Sequence, residues 1–250
     1  MSNGKRLIII DAFSLLYRAF HALPPLTNKH GQPTGAVYGF LLTLFRAIKD
    51  IKANYVVACF DTEKPTFRHE TFDQYKIHRP QMPDGIISQI PIMKQVLEAF
   101  SIPVFEKDGF EADDLIATIS QIAKKDCAVF ILSGDLDNLQ LVDEKVKVYT
   151  LGKGINDSVV YDEAKVMERF GVTPSQMNDF KALVGDVSDN IPGVPGIGKK
   201  TAAELIQKYG SVKNLYDELS TDTAVLKPKI KEALRENKEN ALLSLRLVET

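Results

Sequence analysis

The chain has 250 residues, with 31 Lys and Arg against 33 Asp and Glu, a formal charge of −2 at pH 7. At 44% hydrophobic and 26% charged it can bury a core and is not a disordered chain, and its length suits one to two domains. No apolar run approaches the roughly 18–20 residues that span a bilayer, and the run after Lys5 and Arg6 is too short for a signal-peptide core, so a cytoplasmic protein is expected.

In chain order, residues 7–10, 55–60 and 128–132 are short, apolar and rich in β-branched residues, the pattern of strands buried on both faces. Residues 146–149 and 103–105 are further strand candidates. Apolar residues recur at helical spacing over 36–51, 86–100 and 113–124. Strands alternating with helices predict an α/β fold with a central, mostly parallel sheet. Cys59 and Cys127 fall in strand-like runs and read as buried free thiols. After about residue 160 only helical patterns follow, over 162–170, 175–184, 201–209, 212–219 and 227–247. The expected domains are therefore an α/β core over 1–160 and a helical region over 161–250. Residues 63–83 are neither clean strand nor clean helix and carry Lys64, Arg68, His69, Lys76, His78 and Arg79. A long irregular insertion of this kind is usually functional or disordered.

Carboxylates carry the chemistry. Asp11 ends the first strand (LIIID), Asp61 the second (VVACFD), and Asp135 and Asp137 follow a third (AVFILSGDLD). Ligands of open parallel sheets bind beyond the carboxyl ends of the strands. Glu111, Asp113 and Asp114 open a helix, and Asp186 and Asp189 lie three apart in GDVSDN. Singly, such acids are caps or turn residues. Together, nine converging acids would repel one another and need a cation. All-oxygen donors without His or Cys spacing favour Mg²⁺ or Mn²⁺ over zinc, and two such ions suit in-line phosphoryl displacement. Setting nine of the 33 acids aside leaves 24 against 31 basic residues, a formal +7, compatible with a polyanionic partner.

Residues 191–201, IPGVPGIGKKT, fail as a phosphate loop. Gly193, Gly198 and Lys199 fit its spacing, but Lys200 stands where Ser or Thr is needed and no apolar strand precedes. A turn between two helices fits better. Gly196 and Gly198 would let backbone approach a phosphate, amides at the start of the 201–209 helix, from Thr201, would bind it, and Lys199 and Lys200 would add charge. Such a helix-hairpin-helix, over about 175–219, reads phosphates rather than bases.

The runs IIIDAFSLLYRAFHALPPLT, PTGAVYGF, CFDTEKPTFRHETFDQYKIHRPQMP, GFEADDLIATI, ILSGDLDNLQLV and LVGDVSDNIPGVPGIGKKTA resemble, in order, the 5′-nuclease domain of bacterial DNA polymerases I, within the flap endonuclease family. They cover nearly the whole chain. The resemblance implies a structure-specific 5′ nuclease that hydrolyses 5′ flaps, nicked duplex and RNA primers by two-metal-ion catalysis. Asp11, Asp61, Glu111, Asp113, Asp114, Asp135, Asp137, Asp186 and Asp189 would hold two or more Mg²⁺ or Mn²⁺. It implies a helical arch over about 63–90, with Lys76 and Arg79 at the scissile phosphate, Tyr75 stacking on a base, and Arg18 and Arg68 on DNA. A K⁺ would sit on the hairpin's carbonyls. A polymerase domain in the parent protein, no membrane partner and a monomer are the remaining expectations. The chain departs from relatives that carry Lys at the position of Leu136. The chain reads either as a fragment or as a short stand-alone nuclease. The rival readings are a PIN-like ribonuclease, which would lack arch and hairpin, and a catalytically silent DNA-binding scaffold. A haloacid-dehalogenase-type phosphatase is excluded because Phe13 stands where its second Asp belongs.

Overall fold

A computed structural model describes residues 4–152 and 158–250. The chain forms two compact units. The first comprises residues 1–66 and 81–162, the second 67–80 and 163–250.

The first unit is built on one six-stranded sheet: β1 (Arg6–Asp11), β2 (Tyr55–Cys59), β3 (Val104–Phe105), β4 (Ala128–Leu132), β5 (Val146–Leu151) and β6 (Ser158–Tyr161). The spatial order is β3-β2-β1-β4-β5-β6, parallel except for β6, which runs antiparallel to β5. Its helices are α1 (Ala12–Ala22), α2 (Gly35–Ile51), α3 (Ile90–Ala99) and α4 (Ala112–Ala123). β1 is central, and Ile8, Ile9 and Ile10 are fully buried, as an apolar run between two covered faces requires. Ile8 and Ile10 pack with Leu15, Phe40, Leu44 and Met93 from three of the helices. α4 packs on β1, β2 and β4. From β1 the chain goes to β2 on one side and later to β4 on the other. The strand order therefore reverses beside β1, the place where such sheets bind ligands.

α1 was not among the expected elements, although Ala12, Leu15, Leu16 and Ala19 are buried at helical spacing. The 86–100 pattern divides into a short turn, Asp84–Ile87, and α3, whose first turn holds Pro91. Proline has no amide to continue a preceding helix.

The second unit is helical: a short helix, Phe67–Thr71, then α5 (Glu163–Phe170), α6 (Met177–Val184), α7 (Lys199–Tyr209), α8 (Val212–Ser220), α9 (Pro228–Glu236) and α10 (Lys238–Val248). Its interior includes Leu183, Ile206, Val212, Leu215, Leu234 and Ala241. The pattern over 227–247 is two helices rather than one. Asn237 ends α9, donating its amide to Ala233, and accepts from the Ala241 amide at the start of α10. Residues 67–80 pack here rather than with the sheet, so the unit is discontinuous in sequence and departs from a boundary at 160. Among the described residues no helix is long and apolar enough to cross a membrane.

Candidate active site

In the first unit, parallel register brings the acids to one edge. Asp11 lies opposite Cys59, and Ile10 lies opposite Leu132. Asp61 and Asp135 thus emerge just beyond the carboxyl ends of the strands on either side of Asp11. Asp11 is also the N-cap of α1: one carboxylate oxygen accepts from the Ser14 amide at 3.2 Å, the other from the Ser133 hydroxyl at 2.7 Å. Asp61 accepts from the Ala112 amide at 2.8 Å, which ties the β2 end to the start of α4. Asp114 reaches back to the Glu111 amide at 2.9 Å in a capping box, an arrangement that satisfies amides at a helix start. Asp113 accepts from the Asn138 side-chain amide at 3.0 Å, and Asp135 from the Asp137 amide at 3.0 Å.

Electrostatics shows that these carboxylates share one region. Burial pushes Asp11 up to about 7; Ser133 works against that shift, while the charges of Asp135 and Asp61 add to it. Asp113 is held well above the usual carboxylate range, by burial first and then by Asp11, Asp135, Asp137 and Asp61. The Cys59 thiol is pushed up to about 12, by burial and by the fields of Asp11, Asp113 and Asp61. Among the described residues, no three His, Cys, Asp or Glu side chains close tightly enough to form a ligand shell as they stand. The donors are nevertheless hard oxygens gathered at one sheet edge, a set suited to a divalent cation.

Arg18 lies on α1. Its guanidinium donates to the carbonyls of Leu151 (2.6 Å) and Gly152, fastening α1 to the end of β5.

The second unit holds the remaining expected residues. Asp186 is bonded by the Ser188 amide and hydroxyl, at 2.8 and 2.6 Å, and pairs with Lys181 at 3.3 Å. Burial pushes it up, but Ser188 and Lys181 outweigh this and hold it below the usual range. Asp189 pairs with Arg79 at 2.9 Å and with Lys76 at 4.0 Å, and its backbone carbonyl accepts from the Lys76 amide. Of the acid pair singled out in the sequence, Asp189 therefore meets both cations, while Asp186 pairs with Lys181.

Two expectations are corrected. Arg68 is only 2% exposed and donates to the carbonyls of Leu247 at 2.9 Å and Glu249 at 2.6 Å. It anchors the chain's last helix and does not face a phosphate. Tyr75 is 4% exposed and packs with Ile191, Leu247 and Val248, so it is a core residue of this unit and its ring does not present a face to a base.

The hairpin closes at its base and opens at its tip. Asp186 and Ile191 exchange backbone hydrogen bonds. Gly193 has φ +61°, and a Cβ there would stand 2.4 Å from the Gly185 nitrogen, so only glycine permits this crossing. At the exposed tip, a Cβ on Gly196 or Gly198 would meet nothing within 4 Å. Gly198 then leads into α7, whose first residues are Lys199, Lys200 and Thr201.

Sequence reasoning missed Ser14, Ser133 and Asn138, which hold Asp11, Gly134 and Asp113 in place. The SGD run carried a signal, since Ser two residues before an acid commonly bonds forward to backbone.

Residues 6–171 match the family described as "5′-3′ exonuclease, N-terminal resolvase-like domain", and residues 172–250 match "5′-3′ exonuclease, C-terminal SAM fold". The chain is 43% identical to DNA polymerase I of Bacillus subtilis (strain 168) over 99% of its own length and 28% of that protein's. It is 44% identical to the 5′-3′ exonuclease of Aquifex aeolicus (strain VF5) over 84% of its own length and 72% of that protein's. Among solved structures, T5 5′-exonuclease with bound zinc matches with a TM-score of 0.79 at 26% identity, over 98% of this chain and 89% of the other. A complex of the T5 D15 flap endonuclease with DNA and metal ions matches with a TM-score of 0.77 at 25% identity, with the same coverage.

Proposed function

The chain belongs to the 5′-3′ exonuclease family, and from that premise we propose that it is a divalent-metal-dependent 5′ nuclease acting on 5′ flaps, nicked duplex and RNA primers in DNA replication and repair. One observation carries the reading. Three strands deliver Asp11, Asp61 and Asp135 to the sheet edge where strand order reverses, beside the helix opened by Glu111, Asp113 and Asp114, and burial first, then the charges of Asp61, Asp135 and their neighbours, raises Asp11 and Asp113. Those six acids and Asp137 are the groups that would hold two or more Mg²⁺ or Mn²⁺. Bound there, the ions supply a nucleophile at neutral pH and neutralise charge on the phosphodiester.

This chain's own groups do the rest. The capping box at Glu111 and the Asp61–Ala112 bond fix carboxylates before any ligand arrives, so little reorganisation accompanies the reaction. Asp186 and Asp189 are assigned to the same chemistry as further ligands, and Lys76 and Arg79 as cations meeting transition-state charge; for these four the support is the family resemblance. The hairpin tip, with room at Gly196 and Gly198 and the start of α7 behind it, suits a duplex phosphate and a K⁺ on backbone carbonyls. Because the chain spans 28% of the length of its DNA polymerase I relative, a polymerase as covalent or separate partner belongs to the proposal, as does a monomeric state.

The test is cleavage of a labelled 5′ flap, a single strand and an RNA hairpin after removal of metal. Chelation should abolish cleavage, Mg²⁺ or Mn²⁺ should restore it, and the flap should be preferred. Full activity in excess chelator would falsify the metal centre. Preference for the RNA hairpin would favour a PIN-like ribonuclease, and binding without cleavage would favour a scaffold.

A further inference from the structure

Between β1 and β4 lies a pair of hydroxyls that neither the sequence reading nor the family comparison assigns. Ser133 is 1% exposed. Its hydroxyl donates to Asp11 at 2.7 Å and accepts from the Asp135 amide at 2.9 Å. A hydroxyl has one proton and two lone pairs. Since the Asp135 amide can only donate, the Ser133 proton is left for Asp11, and the direction of the chain is fixed. Beside it, the Ser14 hydroxyl accepts from the Gly134 amide at 2.9 Å and lies 3.5 Å from the Ser133 hydroxyl. The Ser14 amide donates to the other oxygen of Asp11. A Cβ on Gly134 would come within 2.9 Å of the Ser14 hydroxyl, so the loop after β4 is drawn hard onto α1. The Asp11 carboxylate at the end of β1 and the backbone amide of Asp135, in the loop after β4, are thereby linked through one buried side chain.

We propose that Ser133, supported by Ser14, is a positioning residue that sets the relative placement of Asp11 and Asp135 and so determines how tightly the acid cluster takes its divalent ion. The inference rests on the reading of these acids as metal ligands. Each oxygen of Asp11 accepts one of these hydrogen bonds and retains a second lone pair, so the hydroxyl orients the carboxylate without exhausting it. Hydrogen-bond partners of ligating carboxylates commonly contribute about 10–100-fold to metal affinity.

The experiment is a Mn²⁺ titration of the full chain without DNA, following loss of the free-ion EPR signal, alongside thermal melting in chelator. Ser133→Ala should weaken Mn²⁺ binding about tenfold or more, and Ser133→Thr, which keeps the hydroxyl, should recover most of it. Flap cleavage by Ser133→Ala should need correspondingly more Mn²⁺ for half-maximal rate while approaching the parent's rate at saturation. Asp135→Ala is the control. If Asp135→Ala loses Mn²⁺ while Ser133→Ala binds as the parent does, the positioning role is overturned and the metal reading stands. If Asp135→Ala and the parent bind alike, the metal reading fails and takes the inference with it. Should Ser133→Ala not melt cooperatively, Ser14→Ala carries the test. It removes the Gly134 anchor and the 3.5 Å contact with the Ser133 hydroxyl, keeps the Ser14 amide on Asp11, and should weaken Mn²⁺ binding at least about threefold; unchanged binding would overturn the proposal.

Discussion

Asp11 sits where helix capping and ion binding ask the same thing of one carboxylate. Burial and the charges of Asp135 and Asp61 raise it to about 7, whereas in the unfolded chain it titrates near 3.9. Between these values the folded protein keeps a proton that the unfolded chain has lost, so stability falls as pH rises through this window. The unfolding free energy of chelated protein should therefore fall from pH 5 to pH 8 by an amount on the order of a few kcal/mol, and its melting temperature with it. Excess Mg²⁺ should shrink the drop, and Asp11→Asn should flatten it. A pH-independent melt of the chelated parent would show that Asp11 is ionised throughout. Arg68 poses the opposite case, a cation used for structure. Arg68→Ala should lower stability by roughly 3 kcal/mol, because two buried carbonyls lose charge-assisted donors. Lys at 68 should not rescue it, since one ammonium lacks the planar fork. The salt slope of duplex binding should stay unchanged, and a shallower slope would return Arg68 to the DNA.

At the scale of elements, the hairpin divides into a base that needs glycine and a tip that uses it. Gly193→Ala drives a Cβ to 2.4 Å from the Gly185 nitrogen and should cost at least about 2 kcal/mol. Gly198→Ala meets open space and should leave the melting temperature within a few degrees of the parent's. Gly198→Val with Lys199→Ala and Lys200→Ala should weaken duplex binding at all sequences alike and lower the salt slope by about one for each lost phosphate contact. Base-dependent loss would instead mean direct readout. β1 to β5 and α2 to α4 were legible because period and β-branching survive any packing arrangement, whereas β6 and α1 were not expected. Asp11, Asp61, Glu111, Asp113, Asp114, Asp135 and Asp137 stood out because they end or closely follow a strand or open a helix, whereas Asp186 and Asp189 lie in a turn. Ser14, Ser133 and Asn138 did not stand out, because what they touch is set by register between strands rather than by spacing along the chain. Arg68 and Tyr75 were expected on the nucleic acid from the family resemblance, and their packing with Leu247 and Val248 shows otherwise.

At the scale of the whole molecule, the least legible feature is that the second unit is assembled from two stretches of sequence. A break at 160 follows the change from alternating strands and helices to helices alone. It cannot register that the chain has already contributed residues 67–80, a segment without clear periodicity. Within the unit that segment is deeply engaged. Arg68 holds the carbonyls of Leu247 and Glu249, Tyr75 fills the cluster of Ile191, Leu247 and Val248, and Gln74 and Lys76 bond Asn190 and Asp189. A fragment of residues 163–250 should accordingly melt at a lower temperature than the same fragment joined to 67–80 by a flexible linker. A free 67–80 peptide should raise its melting temperature in proportion to the logarithm of peptide concentration once binding saturates, as ligand linkage requires. The same peptide with Arg68→Ala should do so much less. If 163–250 melts cooperatively at one temperature with or without the peptide, the segment is an appendage, and the basic insertion is free to move without unsettling the helices. If the peptide stabilises as expected, any force that orders Lys76 and Arg79 also tightens the turn carrying Asp186 and Asp189, because both ends of that coupling lie inside one cooperative unit.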